Sequence, residues 1–253
     1  MNVVNPPNER DSERKRARRG ESRRPTRTCV GCGLRDSADA LLRIVCTLER
    51  SERADGHEVC TLERSERADG HEVATLDELA FDLAGGTFGR GAHLHPRLAC
   101  IEKAPKGLAR GLRGAVKADA ASIGRRLIEA CDRRMAGLVL AARRSGGLVI
   151  GADAALGALA KGAPLAVVAV DAGSVAETTE VQRCAAEGRA IAWRTRSGLG
   201  GLLGERSVAI CAVRHVGIAD ELKRMRVAAD AGAAATTSAT REGAECSRFP
   251  EAR

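Results

Sequence analysis

Aromatic residues make up only 2% of this 253-residue chain, with one Trp, three Phe and no Tyr, so recognition by rows of stacking rings is excluded. Any contact with nucleic acid must rest mainly on charge and shape. The chain also lacks an uninterrupted apolar run of about 18 residues, and its N-terminus is polar and Arg-rich where a secretory signal needs an apolar segment. The reading is a soluble, cytoplasmic protein with no membrane partner. No P-loop, nucleophile elbow or paired-acid motif occurs, so the chain reads as non-enzymatic. Nine cysteines, an odd number scattered through a long chain, argue against a disulfide framework and for reduced thiols with one metal cluster.

What the chain has instead is positive charge and enough apolar residues to build cores. Lys and Arg total 41 against 33 Asp and Glu, a net charge of +8 that favours a polyanionic partner, and 44% of residues are hydrophobic. Residues 1–28 hold nine basic residues against four acidic ones, and residues 1–26 read as a disordered basic arm that grips phosphates. An exact internal repeat follows: residues 46–59 (CTLERSERADGHEV) recur unchanged as residues 60–73. Two identical short copies are not a repeat architecture, and 46–73 reads as an enlarged surface loop whose closure cost grows only slowly with length.

The coarse reading is α/β. Residues 41–45 (LLRIV) and 81–83 predict strands, and a helix follows Pro96, broken into two pieces at Pro105 and Gly107. From Arg90 to Lys117, seven basic residues (Arg90, Arg97, Lys103, Lys106, Arg110, Arg113 and Lys117) face the single acid Glu102. Beyond residue 118 helix and strand alternate. Apolar runs at 148–150, 165–170, 190–193 and 208–213 suit strands covered on both faces, with helices over 153–161, 175–187, 199–203 and 218–226 between them. Residues 227–253, Ala/Thr-rich without apolar periodicity, read as a disordered tail.

Two motifs carry chemistry. In RTCVGCGLR, Cys29 and Cys32 form a C-x-x-C pair that Gly31 and Gly33 allow to turn tightly, and His95 with Cys100 supplies a second short-spaced pair. Together they complete the donor set of a structural zinc site, with His93 as a competing ligand and unliganded thiols as the alternative. In FGRGA, Gly89 and Gly91 flank Arg90, so the backbone can approach a phosphate that the guanidinium grips.

On RTCVGCGLR, LLRIV, FD at 81–82 and GRGAHL with PRLACIEKA at 89–104, residues 27–118 resemble the YlxR family of small bacterial RNA-binding proteins. The resemblance implies a small α/β domain with a positively charged groove for RNA, Arg90 and its glycines at the centre, and Arg27, Lys103 and Lys106 as contacts. Arg97, Arg110 and Arg113 extend that basic patch. Residues 121–226 are similar to YlxQ and the kink-turn-binding ribosomal-protein family, on LAARRSGGLVIGADAAL, AVDAGS and LGGLLGERSVAICAV. This implies a three-layer α/β/α sandwich, with Arg143, Arg144 and Gly151 as contacts at its first helix-to-strand junction. Asp153, Glu177 and Glu180 stand where that family carries RNA-reading polar and basic residues. The expected function is therefore recognition of structured RNA in ribosome biogenesis, translation or RNA processing. The alternatives are a DNA-binding transcriptional regulator or nucleoid-associated protein using the same patches, and a thiol oxidoreductase at Cys29 and Cys32.

Overall fold

A computed structural model describes residues 25–46, 50–52, 58–60, 65–66, 72–75, 79–87, 91–112 and 115–246. The basic arm up to residue 24, Gly89, Arg90 and Arg113 lie outside the described residues. The chain is α/β, with helices and several small sheets alternating along it.

In the first half, β1 (Thr26–Thr28) and β2 (Arg35–Ser37) form an antiparallel pair around the C-x-x-C turn. Next come β3 (Leu42–Cys46), β4 (Arg50–Glu52), β5 (Glu58–Cys60), β6 (Ser65–Glu66), β7 (Glu72–Thr75), β8 (Leu79–Phe81) and β9 (Gly91–Leu94). A three-stranded sheet of order β8-β3-β9 is covered by helix α1 (Leu98–Leu112), whose Cys100, Ile101, Ala104 and Leu108 are buried. Strand β8 sits two residues earlier than 81–83, because Asp82 begins a turn in which its carboxylate accepts from the backbone N–H groups of Gly85, Gly86 and Thr87. The repeated segment is not merely a loop. Its identical copies pair in identical register, Ser51 with Val59 and Ser65 with Val73, and the second copy's β7 adds a parallel neighbour, β10 (Ala115–Lys117).

The expected break at Pro105 and Gly107 is absent, and α1 runs through both. Proline removes one helical hydrogen bond, a loss of about 3 kcal/mol. Ile101, Ala104 and Leu108, on either side, are fully buried, and each large apolar side chain so placed returns about 1.5–3 kcal/mol. The helix is therefore held by its packing.

The second half opens with α2 (Ala120–Arg144), capped by a reciprocal pair in which Asp119 Oδ1 accepts from the Ser122 N–H at 2.8 Å and Ser122 Oγ accepts from the Asp119 N–H. Strands β11 (Leu148–Ile150), β12 (Leu165–Val168), β13 (Ala190–Ala192) and β14 (Ile210–Val213) form one sheet of order β11-β14-β12-β13. Helices α3 (Ala152–Ala160) and α4 (Thr179–Ala186) pack together on it. α5 (Arg196–Leu203) touches α2, while α2 and α6 (Val216–Cys246) pack on β11 and β14. Every residue of β12 and β14 is buried, as cover on both faces requires.

The expectation of a disordered tail over 227–253 is overturned for 227–246, while residues 247–253 lie outside the described residues. Helix α6 continues to Cys246, and the pairing of α2 with α6 is the most extensive between helices. Its inward face is built of small residues: Ala228 and Ala235 are fully buried, and between them Gly232 meets Gly124 of α2 so closely that a Cβ on Gly124 would lie 2.5 Å from the Gly232 carbonyl oxygen. Alanine has the best helix propensity, and small side chains let two helix backbones approach. The same helix packs on α1, where Ser238 Oγ donates to Glu102, and Arg224 donates to the Asp39 carbonyl oxygen. The buried residues of both halves accordingly form one continuous core.

A candidate metal centre beside a basic groove

The C-x-x-C turn is fixed by its own backbone and by β9. Gly33 N–H donates to the Cys29 carbonyl, and Val30 N–H donates to the His93 carbonyl at 2.8 Å. Beyond β9 the chain turns at His95 into α1, and Cys100 occupies the first turn of that helix. Close approach of turn and helix depends on glycine. A Cβ on Gly31 would lie 2.3 Å from the Cys100 carbonyl oxygen, and one on Gly107 would lie 2.0 Å from the Val30 carbonyl oxygen. Gly107 is thus the seat of the turn on the helix.

This docking brings the four expected ligands to one point. The ligand atoms of Cys29, Cys32, His95 and Cys100 all lie within 4.8 Å of one another, and donors on a tetrahedral ion with bonds of about 2.0–2.3 Å are about 3.3–3.8 Å apart. His95 Nδ1 faces the sulfurs, 3.4 Å from Cys32 Sγ and 4.0 Å from Cys100 Sγ. Its Nε2 lies 3.2 Å from Asp36 Oδ2, so a carboxylate stands behind the imidazole and directs its free lone pair to the cluster. Burial pushes the Cys29 thiol up, but hydrogen bonds from the backbone of His95, Cys32 and Gly31 outweigh it and bring its pKa down to about 6. Burial and the neighbouring Cys29 and Cys32 push Cys100 up to about 12. One thiolate forms readily while a second beside it does not, an imbalance that a cation at the centre relieves. Three sulfurs and an imidazole nitrogen fit zinc. The competing ligand His93 is not in the cluster; it lies on β9, facing the groove described next.

Asp36 is a candidate supporting residue that motif spacing missed, because its contact with His95 depends on β1 and β2 folding back. Replacing Asp36 by Ala is expected to weaken metal affinity by about 10- to 100-fold while the fold survives in excess metal. Titration against a competing chromogenic chelator measures it.

A groove of about 390 Å³ runs beside the cluster, between the C-x-x-C turn, β9 and α1. Gly31, Gly33, Gly91, Gly107 and Gly111 line it, of which Gly33 alone has open space where a Cβ would stand, and Arg110 stands at its rim. Arg27, Lys103, Lys106 and Arg110 are all exposed, and the last three recur at helical spacing on one stripe of α1. His93 records the local field: burial lowers its pKa first, and the charges of Arg27 and Arg43 lower it further. Gly91 is also the described end of the Gly-Arg-Gly motif, and a Cβ there would lie 2.6 Å from Arg43 Nε.

Arg43 and Asp82 are a second pair unassigned from sequence. Arg43 Nη1 donates to Asp82 Oδ2 at 2.8 Å and to the Thr87 carbonyl at 2.6 Å, holding the turn that leads towards residue 90. The Asp82 side chain is only 3% exposed. Burial raises its pKa, yet the bonds from Thr87, Arg43, Gly86 and Gly85 outweigh that and leave the pKa below its ordinary value. Its stabilisation is therefore complete above the unfolded carboxyl value of about 3.9 and is lost as pH falls through the lower folded-state value. Asp82→Ala is expected to destabilise by about 2–4 kcal/mol at neutral pH, because several donors are orphaned. Urea titration at pH 7 and pH 3 checks this: the gap between wild type and variant should shrink at the lower pH.

The remaining expected contacts separate. Arg97 is exposed at the start of α1, where its carbonyl oxygen accepts from the Cys100 and Ile101 N–H groups. In the second half, Arg143 serves as a helix cap, its guanidinium donating to the Leu203 carbonyl oxygen at the end of α5. Arg144 is exposed beside it, and Gly151 begins α3 with φ +102°, a backbone requirement of its own. Asp171 accepts from the Arg196 N–H at 2.6 Å. Asp132 accepts from Trp193 Nε1 at 2.8 Å and from Arg194, whose φ of +53° is the only positive value at a non-glycine among the described residues. These groups are engaged in holding the second half together. No helix of the described residues is long and apolar enough to cross a membrane. Neither the family models nor the curated proteins include a match to this chain.

Proposed function

We propose that this protein binds structured RNA through the groove between the C-x-x-C turn and α1, with zinc held by Cys29, Cys32, His95 and Cys100 as the clamp that shapes it. The observation that carries the reading is the convergence of those four ligands beside a groove that Cys29 and Arg110 line, with Arg27 near enough to act on its His93. The zinc role is structural: four protein donors fill a tetrahedral ion and leave no open position for catalysis.

A glycine-lined groove with guanidinium groups beside it suits phosphates, and the shortage of aromatic rings leaves charge and shape to carry affinity. The resemblance to the YlxR family at residues 27–118 points the same way, towards RNA, with Arg90 and its flanking glycines at the centre. The YlxQ-like half carries acidic Asp153, Asp171, Glu177 and Glu180 around the starts of α3 and α4 and the exit of β12, and adds less positive charge there.

The test is equilibrium binding to a folded RNA and to duplex DNA across a salt series. The RNA is expected to bind more tightly, with a log-log salt slope near −5 for about six neutralised phosphates. Arg27→Glu with Arg110→Glu should flatten the slope by about two. Equal affinity for DNA, or an unchanged slope in the double variant, would sink the proposal.

A further inference from the structure

We propose that Cys32 is a peroxide-sensitive thiol whose oxidation to a Cys29–Cys32 disulfide expels the metal and releases one wall of the groove. The inference rests on the metal-clamp reading above and adds a chemical input to it.

Of the three clustered cysteines, Cys29 and Cys100 are buried and Cys32 alone is exposed, so an oxidant in solution reaches the centre through Cys32. The other cysteines with described side chains, Cys131, Cys184 and Cys211, are all buried in the second half. Cys29 lies in the same turn as Cys32, with both sulfurs inside the 4.8 Å cluster, and so provides a resolving thiol within reach.

The Cys32 thiolate attacks one oxygen of hydrogen peroxide. The O–O bond breaks, a sulfenic acid forms on Cys32, and the departing hydroxide takes up a proton to become water. The Cys29 thiolate then attacks the Cys32 sulfur, the S–O bond breaks, the disulfide forms, and a second hydroxide is protonated to water. The two thiolates lose two electrons, which reduce one peroxide to two waters.

The structural consequence follows from the docking. A metal held by the four side chains would tie the turn that carries Cys29 and Cys32 to the segment that carries His95 and Cys100. Gly31 faces Cys100 and Val30 faces Gly107 across that junction, and Val30, Gly31 and Gly107 line the groove. With two of four ligands withdrawn, the ion leaves and the turn keeps only its backbone bonds to β9 and its packing on Gly107, so that wall of the groove loosens. A dithiol reductant with fresh zinc reverses the change.

The experiment treats the full-length, zinc-loaded protein with stoichiometric hydrogen peroxide and follows three signals. They are zinc release by a chromogenic chelator, disulfide position by mass spectrometry of a digest, and affinity for a folded RNA. The expected result is release of one zinc per chain, a Cys29–Cys32 disulfide, and RNA affinity lowered by about tenfold, the worth of one charge-assisted contact, all restored by reductant and zinc. Cys32→His, which keeps a fourth ligand and cannot form the disulfide, should retain its zinc under the same treatment. A chain that takes up no zinc, a wild type that keeps zinc and reduced thiols, a disulfide at other cysteines, or a Cys32→His variant that loses zinc equally would each overturn the proposal. Zinc release with the expected disulfide but no RNA binding in either state would leave the thiol chemistry standing and overturn the link to the groove together with the RNA reading.

Discussion

Stripping the metal with a strong chelator is expected to lower the thermal midpoint by about 8 to 16 °C and to open the first half of the chain. A site that binds only the folded state adds about 4 kcal/mol when the metal is near a thousand times its dissociation constant, and each kcal/mol moves the midpoint of a chain this long by about 2–4 °C. The loss should be local. Cys29 and Cys32 reach α1 through the cluster, so backbone hydrogen exchange should accelerate at 25–46 and 91–112 while the β11-β14-β12-β13 sheet stays protected. Calorimetry and hydrogen exchange on the loaded and stripped protein measure both. An unchanged midpoint would mean that the four side chains meet without holding a metal.

Ending the chain at Arg226 is expected to destabilise it by about 3–6 kcal/mol. The cut removes Ala228, Gly232 and Ala235 and uncovers the fully buried Leu127 and the half-buried Ile128 on α2, both of which lie against Gly232; each such side chain contributes about 1.5–3 kcal/mol when buried. A disordered tail could be lost without effect, so urea denaturation of the truncated chain separates the two cases. Gly124→Val tests the same contact without shortening the chain, since a Cβ there would lie 2.5 Å from the Gly232 carbonyl and must push the helices apart. Normal stability in both variants would contradict the packing of α2 on α6.

These two predictions also mark where the sequence was legible. The four candidate ligands could be read because two short-spaced pairs of Cys and His donors are rare, and the structure brings all four together. The strands of the second half could be read from uninterrupted apolar runs, and 148–150 matches β11 residue for residue. The tail could not, because its buried face is made of Ala and Gly, which carry no bulky periodicity and reveal themselves only when a partner backbone lies against them. Pro105 and Gly107 misled for related reasons: the proline is overruled by buried neighbours, and the glycine serves the Val30 carbonyl. Asp36, Arg43 and Asp82 were invisible as a set because each acts across the fold, on a residue at least 39 positions away.

The central claim is that RNA lies in the groove beside the cluster, and photocrosslinking in the protein's own cells, followed by mass spectrometry of the nucleotide-bearing peptides, tests it most directly. The account predicts crosslinks on peptides from 25–35 and 89–113, lost when Arg27 and Arg110 are reversed in charge. Crosslinks confined to 121–246, or none at all, would contradict it.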